Sequence, residues 1–327
     1  MLIFLNNKIT TFIPIRLFMM IKAIIPPLDK NIIQRELTKE RFVRTTNKGD
    51  NEIYVINHHN SPNVMREIGR LREEAFRGAG GGTGDEIDID HNDTCEKPYE
   101  QLLVWDPREQ VILGGYRFIF GPDAILEDGE INLSTAHLFN FSEKFLQEYL
   151  PYTIELGRSW VHPDYQPTAT SRKGIYTLDN LWDGLGSLCS DYPSAKYFFG
   201  KVTMYTHYNT EARDMLMSFM DYYFPDNEEL VTPIHPLKRV FPKENFWQKW
   251  EGLPYKEGHK NLNNGVRLLG ENIPPLINAY MNLSLTMKTF GTSVNDLFGD
   301  VEETGILITI KDLHQEKAER YIESYVN

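Results

Sequence analysis

The sequence predicts an α/β (α+β) fold in which one mixed central sheet carries helices on both faces. Three observations lead there. Short β-rich runs alternate along the chain with stretches of helical period. Two of those runs flank a turn, Asp106-Pro-Arg-Glu109, as a hairpin requires. A third run, Thr153 to Val161, is apolar except for Glu155 and Arg158, so a central strand carries charge where charge is costly.

In order, Glu52 to Asn57 is rich in β-formers and short, as a strand would be. Ser61-Pro62 opens a helix whose apolar residues Val64, Ile68, Leu71 and Ala75 recur at three- and four-residue spacings. The run Gly78 to Gly84 ends regular structure, and an acidic loop follows from Asp85 to Asp93. Tyr99 to Trp105 and Val111 to Phe120 form the hairpin. Then come a short helix over Ser142–Tyr149, a strand over Tyr152–Val161, a helix over Ile175–Cys189, a strand over Ala195–Met204 and a helix over Thr210–Phe224. Residues 225–265 read as an irregular insert. Pro274 to Met287 suits a helix, Gly305 to Ile310 a strand, and Leu313 to Tyr325 a closing helix. The expected organisation is an N-terminal extension over 1–49, a catalytic domain over 50–311 and a C-terminal helix over 312–327.

Of the 327 residues, 41% belong to the hydrophobic set and 24% are charged, a globular composition. The net charge of −12 argues against nucleic acid, which rewards basic surfaces through counterion release. It also disfavours a general polybasic hold on membrane. Two cysteines without a CxxC spacing suit a reducing compartment, so the expected location is cytoplasmic. The stretch Thr11 to Pro26 is apolar but broken by Pro14, Arg16 and Lys22, too short to span a bilayer. Translation starting at Met20 is the economical reading of it. An interfacial anchor at the inner membrane face is the alternative.

Most chemical motifs are absent. The glycine run lacks a GKS/T ending and follows a helix, so neither phosphate-loop requirement is met and a flexible active-site loop is expected. The acidic loop lacks EF-hand order, and no metal is expected. There is no HExxH pair and no GxSxG elbow. Cys189 sits on an apolar helix and Cys95 has no evident activating partner. The strand around Glu155 and Arg158 differs. Strict alternation would put Glu155, Gly157 and Ser159 on one side and Leu156, Arg158 and Trp160 on the other. Gly157 between them lets a ligand or another backbone approach. A structural ion pair with Arg117 explains the charges equally well, because such networks also perturb charged groups.

Several ordered segments bear on that choice. They are Glu67-Ile-Gly-Arg-Leu-Arg72-Glu-Glu-Ala-Phe76-Arg77, Gly82-Thr-Gly84, Asp88-Ile-Asp90, Tyr99-Glu-Gln-Leu-Leu-Val-Trp105 and Gly114-Gly-Tyr-Arg117. Glu155-Leu-Gly-Arg158-Ser-Trp-Val-His-Pro-Asp-Tyr165, Pro274-Pro-Leu-Ile-Asn-Ala-Tyr280 and Asp296-Leu-Phe298-Gly299 complete the set. With these the chain resembles the acyl-homoserine-lactone-synthase-like branch of the GNAT acetyltransferase superfamily. It is most similar to the group labelled hemolysins and ornithine- or glycine-lipid N-acyltransferases. The resemblance runs from about residue 50 to residue 311.

That resemblance implies an N-acyltransferase moving a (3-hydroxy) fatty acyl group from acyl carrier protein, or from acyl-CoA, to the amine of glycine or ornithine in aminolipid synthesis. It implies no tightly bound cofactor; the acyl thioester is a co-substrate. Arg72, Asp90, Arg117, Glu155 and Arg158 match the family's charged network, with Glu155, Arg158 and Arg117 in catalysis. Phe76, Trp105, Arg72 and Asp90 belong to substrate binding. The superfamily's usual pyrophosphate loop is missing. In its place Arg172, Lys173 and Gly174 precede a helix whose N–H groups suit a phosphopantetheine phosphate. Glu155 would accept the amine's proton directly or through water, and Arg117 or Arg158 would hold the acceptor carboxylate. Arg172, Lys173, Lys238, Arg239 and Lys243 are the basic residues available for docking an acidic carrier protein. The competing readings are an acetyl-CoA-dependent N-acetyltransferase, an O-acyltransferase, and a non-catalytic lipid-binding or lytic protein. No HxxxxD motif supports the O-acyl class, since the sixth position counted from His91 is Glu96 rather than Asp, and no pore-forming segment is visible.

Overall fold

A computed structural model describes residues 21–127, 129–166 and 176–326. Helix α1 (Lys30–Glu36) leads into strand β1 (Phe42–Thr45) and β2 (Glu52–Ile56). The long helix α2 (Pro62–Gly78) follows, then the single turn α3 (His91–Thr94) and the hairpin β3 (Glu100–Asp106) and β4 (Val111–Phe120). Strand β5 (Phe139–Phe141), β6 (Thr153–Val161), α4 (Thr177–Asp191), β7 (Tyr197–Met204) and α5 (Thr210–Tyr223) come next. The remainder is β8 (Val231–Pro233), α6 (Glu244–Trp247), α7 (Tyr255–Leu268), α8 (Pro275–Met281) and the hairpin β9 (Lys288–Asn295) and β10 (Val301–Thr309).

Eight strands form one sheet in the order β1-β2-β3-β4-β6-β7-β10-β9, while β5 and β8 make a separate two-stranded ribbon. Every neighbouring pair in the large sheet is antiparallel except β6 with β7. Strand alternation divides the core between two faces. On β3, Leu102 and Val104 pack with Leu181 and Leu185 of α4 and with α5. Leu103 and Trp105 pack instead against Val64, Ile68 and Leu71 of α2. A third cluster, around Tyr99, Phe139, Phe199 and Leu307, lies under the β5–β8 ribbon. The mixed sheet with helices on both faces is therefore present.

Several boundaries differ from the sequence reading. Residues 28–45, expected outside the catalytic domain, pack within it: Ile33 and Leu37 are buried beside α2, and β1 pairs with β2. The stretch expected to be an irregular insert contains β8, α6 and α7. It buries Phe246, Trp250 and Leu262 in the main core. The helix expected over Pro274–Met287 stops at Met281, and β9 follows at Lys288. Ser142–Tyr149 is mostly one wide π-type turn, Phe145–Tyr149. The closing helix is likewise interrupted by a wide turn at Glu319–Glu323. Among the described residues no helix is long and apolar enough to cross a membrane.

Candidate active site

The site begins with an irregularity in β6. Between Gly157 and Trp160 this strand advances three residues while its partner β4 moves only from Arg117 to Gly115. One residue is therefore extra, and Arg158 takes a positive φ of 45°, a strained setting for a side chain of its size. The bulge shifts the side-chain phase by one. Leu156 packs in the α4–α5 core and Trp160 in the α2 core, so they lie on opposite faces. The strict alternation expected from sequence is thus broken, and Glu155 and Arg158 end on the same side, facing α2. Gly157 leaves room for the Arg117 side chain in the same packing. A Cβ there would sit 3.3 Å from Arg117 Nε and 3.4 Å from its Cγ.

On that side three arginines meet three aspartates. Arg72, wholly buried on α2, donates to Asp88 at 3.1 Å and to both oxygens of Asp93 at 3.2 Å. Arg117 of β4 reaches Asp90 at 2.7 Å and Asp93 at 3.5 Å, with its guanidinium over the Tyr99 ring. Arg158 lies 2.8 Å from Asp88 and 3.6 Å from Asp90. Asp90 caps α3, and Asp93 closes a reciprocal capping box with it. Burial opposes ionisation of Asp88 and Asp93, but the arginines outweigh it and hold both carboxyls below the usual carboxylate range. Sequence reading found Arg72, Asp90, Arg117 and Arg158 here. It missed Asp88 and Asp93 as equal members, and Gln101, which donates to Asp93 at 3.0 Å.

Glu155 occupies a different position from the one expected. Its side chain has no exposed surface and accepts from the Tyr99 hydroxyl, Ser134 N (3.1 Å), Ser134 Oγ (3.1 Å), Thr135 N (3.1 Å) and Thr135 Oγ1 (2.6 Å). It bonds to these donors rather than to Arg117, so the simple Glu155–Arg117 ion pair is not the explanation of its burial. Nor does it line the adjoining cavity. With both oxygens engaged, it corrects the reading of Glu155 as an open proton acceptor: the carboxylate holds the Ser134–Thr135 turn and Tyr99 beneath the arginine network.

The cavity is the consequence of the parallel pair. β6 and β7 are paired only over Thr153–Leu156 and Tyr197–Gly200, and beyond those residues they part. The gap opens a cleft of about 230 Å³. At one end stand Arg158, Lys201 and the rings of Phe76 and Phe298, which meet edge to face at 5.2 Å. At the other, on the α4–α5 face, are Leu156, Phe198, Ile306 and Ile308. Lys201 ion-pairs with Glu303, which also accepts from Thr203 at 2.8 Å and Asn295 at 3.4 Å. Burial pulls Lys201 below the ordinary lysine value, against the pull of Glu303, and the charge of Arg158 adds to the depression. Sequence reading passed over both residues. The charge interrupting the apolar run Phe198–Met204 at Lys201 was the available signal.

The other expected residues divide. Phe76 reaches the cleft. Trp105 does not: it is buried with Ile112 and Trp160 under α2 and borders a separate cavity of equal volume beside Glu67, Arg70 and His162. Arg172, Lys173 and Gly174 lie outside the described residues. Lys238 and Lys243 are exposed, while Arg239 is tied to Asp221 at 2.6 Å. The glycine run, expected to be a flexible loop, is pinned: Glu73 accepts from Thr83 N (3.0 Å), Thr83 Oγ1 (2.8 Å) and Gly84 N (2.9 Å). Gly81 sits against Tyr205 and Phe298 at the cleft mouth. Cys189 packs against the core, and burial raises its thiol to about 12, far from a reactive thiolate.

Comparison with known proteins adds to this geometry. A family model described as an acetyltransferase (GNAT) domain matches residues 71–173, which span the arginine–aspartate network and β6. A glycine N(alpha)-acyltransferase of Phocaeicola vulgatus is 53% identical over 306 residues, covering 93% of this chain and 94% of the relative. A glycine N(alpha)-acyltransferase of Bacteroides thetaiotaomicron is also 53% identical over 306 residues, covering 93% of this chain and 91% of its own length. No solved structure matches the chain.

Proposed function

The chain belongs to the GNAT acyltransferases and is an N-acyltransferase; from that premise we propose that it moves a fatty acyl group from acyl carrier protein to the amine of glycine, in aminolipid synthesis. The two-ended cleft between β6 and β7 is the observation that carries this reading. An acyl thioester laid in the gap meets apolar side chains on the α4–α5 face and cations on the α2 face. An amino acid has the complementary charge for the second end. Glycine as acceptor is supported by the names of the two relatives. Ornithine is the second choice.

In the proposed reaction the neutral amine attacks the thioester carbonyl, the new C–N bond forms, the C–S bond breaks, and the proton lost from the nitrogen passes, directly or through water, to the departing sulfur to give the carrier thiol. β6 backbone N–H groups beyond Leu156 that face β7 have no ladder partner among the described residues, and they would stabilise the tetrahedral oxyanion. Arg158 would hold the acceptor carboxylate, its guanidinium fixed by Asp88 and lying 4.3 Å from the Phe298 ring centre. Arg72, Arg117, Asp90 and Asp93 set the position of Arg158 and Asp88 rather than touching substrate. Arg172, Lys173 and Gly174 are proposed on sequence grounds for the phosphopantetheine phosphate, and Lys238 and Lys243 for carrier docking. The protein would act in the cytoplasm, with contact at the inner membrane face where the lipid product is delivered.

The test is an incubation of the purified enzyme with long-chain 3-hydroxyacyl carrier protein, the matching acyl-CoA, or acetyl-CoA, each with glycine or ornithine. N-acylglycine from the carrier-bound donor is expected. Product from acetyl-CoA alone would select the N-acetyltransferase reading instead.

A further inference from the structure

The cleft contains a second cation whose role the acyl-transfer chemistry has not used. Lys201 leaves β7 on the side of the sheet that Arg158 occupies on β6, so the strands that part at the cleft each carry one cation into it. Both are built alike. The Arg158 and Lys201 side chains are 13% and 11% exposed, while the carboxylates behind them, Asp88 and Glu303, are wholly closed. Both cations thus present surface to the cavity; Glu303 lines the wall beside Lys201 with no exposed side-chain surface, and Asp88 does not line it. Glu303 is further fixed by Thr203 at 2.8 Å and by Asn295 at 3.4 Å. Burying a lysine in this manner is costly unless its charge is used, because desolvation penalises the charged form.

We propose that Lys201 and Arg158 form a two-point clamp for the carboxylate of the amino-acid acceptor, with Glu303 as the positioning residue for Lys201. The proposal rests on the reading of this cleft as the site of amino-acid N-acylation. Two cations approaching from opposite strands hold both oxygens of one carboxylate, and so fix the direction in which the amine points. An amine without a carboxylate would enter the cleft but lose that orientation. The clamp is therefore a specificity determinant for α-amino acids over simple amines.

The experiment compares glycine with glycinamide as acceptors, using the same acyl carrier protein thioester. Because Lys201→Met alone would strand Glu303 as an unpaired buried charge, the double variant Lys201→Met/Glu303→Gln is used beside it, with Lys201→Arg as the conservative variant. Loss of a hydrogen bond to a charged group predicts a fall in kcat/KM for glycine of about 10- to 100-fold, carried mainly by KM. Glycinamide should change by less than about threefold, within the range of a contact that was never made. Lys201→Arg should restore part of the preference for glycine. An equal loss on both acceptors would overturn the clamp and place Lys201 at the thioester carbonyl, and an unchanged glycine-to-glycinamide ratio would overturn it as well. Failure of the wild-type enzyme to acylate glycine at all would instead bring down the acyl-transfer reading, and the clamp with it.

Discussion

At the scale of single residues, burial and partners separate groups that look alike in the sequence. Glu155 and Arg158 both interrupt an apolar strand, yet one is closed off by five donors and the other opens into the cleft. Glu155→Gln should therefore act on stability more than on proton transfer. A loss of about 1.5–3 kcal/mol is expected from denaturant unfolding, the worth of a charge-assisted hydrogen bond. The shape of the pH–rate profile should persist; disappearance of one limb would restore Glu155 as the proton acceptor. Arg72→Met removes the partner shared by Asp88 and Asp93 and leaves buried charge behind, so about 3–5 kcal/mol should be lost. Those two carboxyls also set an acid limit. Their folded pKa values are depressed, so their contribution is complete above the unfolded value near ~3.9 and disappears as pH falls through the lower folded values. Unfolding free energy measured against pH should drop below about pH 4 from this source, and less steeply in Asp93→Asn.

At the scale of elements, what the sequence made legible was whatever has a local cause. α2 was legible because Pro62 starts it and its apolar residues keep helical spacing. The β3–β4 hairpin was legible from its turn. β9 was not, because Lys288–Asn295 is rich in Thr, Ser and Gly, and its burial comes from pairing with β10 rather than from apolar alternation. The bulge was hidden for a similar reason. Nothing in Leu-Gly-Arg-Ser announces an extra residue, since the mismatch exists only against β4. Asp88 entered only through the Asp88-Ile-Asp90 segment and Asp93 only as the end of an acidic loop, their pairing with arginines being tertiary. The fork between β6 and β7 depends on Gly200, where a Cβ would stand 2.6 Å from the Leu156 carbonyl oxygen. Gly200→Ala should push the paired ends of the strands apart. The expected result is a destabilisation of about 1–3 kcal/mol, as for other overpacked sites, together with lost transfer activity. A fully active, equally stable variant would show that the fork tolerates movement.

At the scale of the whole molecule, the sheet separates two chemistries and the fork joins them. One face presents cations backed by buried carboxylates, the other an apolar wall of Leu156, Phe198, Ile306 and Ile308. Enlarging that wall with Ile308→Trp should shift donor preference toward shorter acyl chains while leaving KM for glycine nearly unchanged. Chain-length series with carrier-bound donors would read this directly. The central claim is that the fork brings an acyl thioester and an amino acid together across the sheet. Its most direct measurement is a single-turnover reaction of the purified enzyme with acyl carrier protein thioester and glycine, following free thiol and N-acylglycine together. The account predicts one N-acylglycine, identified by mass, for each thiol released. Thiol release without N-acylglycine, or no release in the presence of glycine, would contradict it.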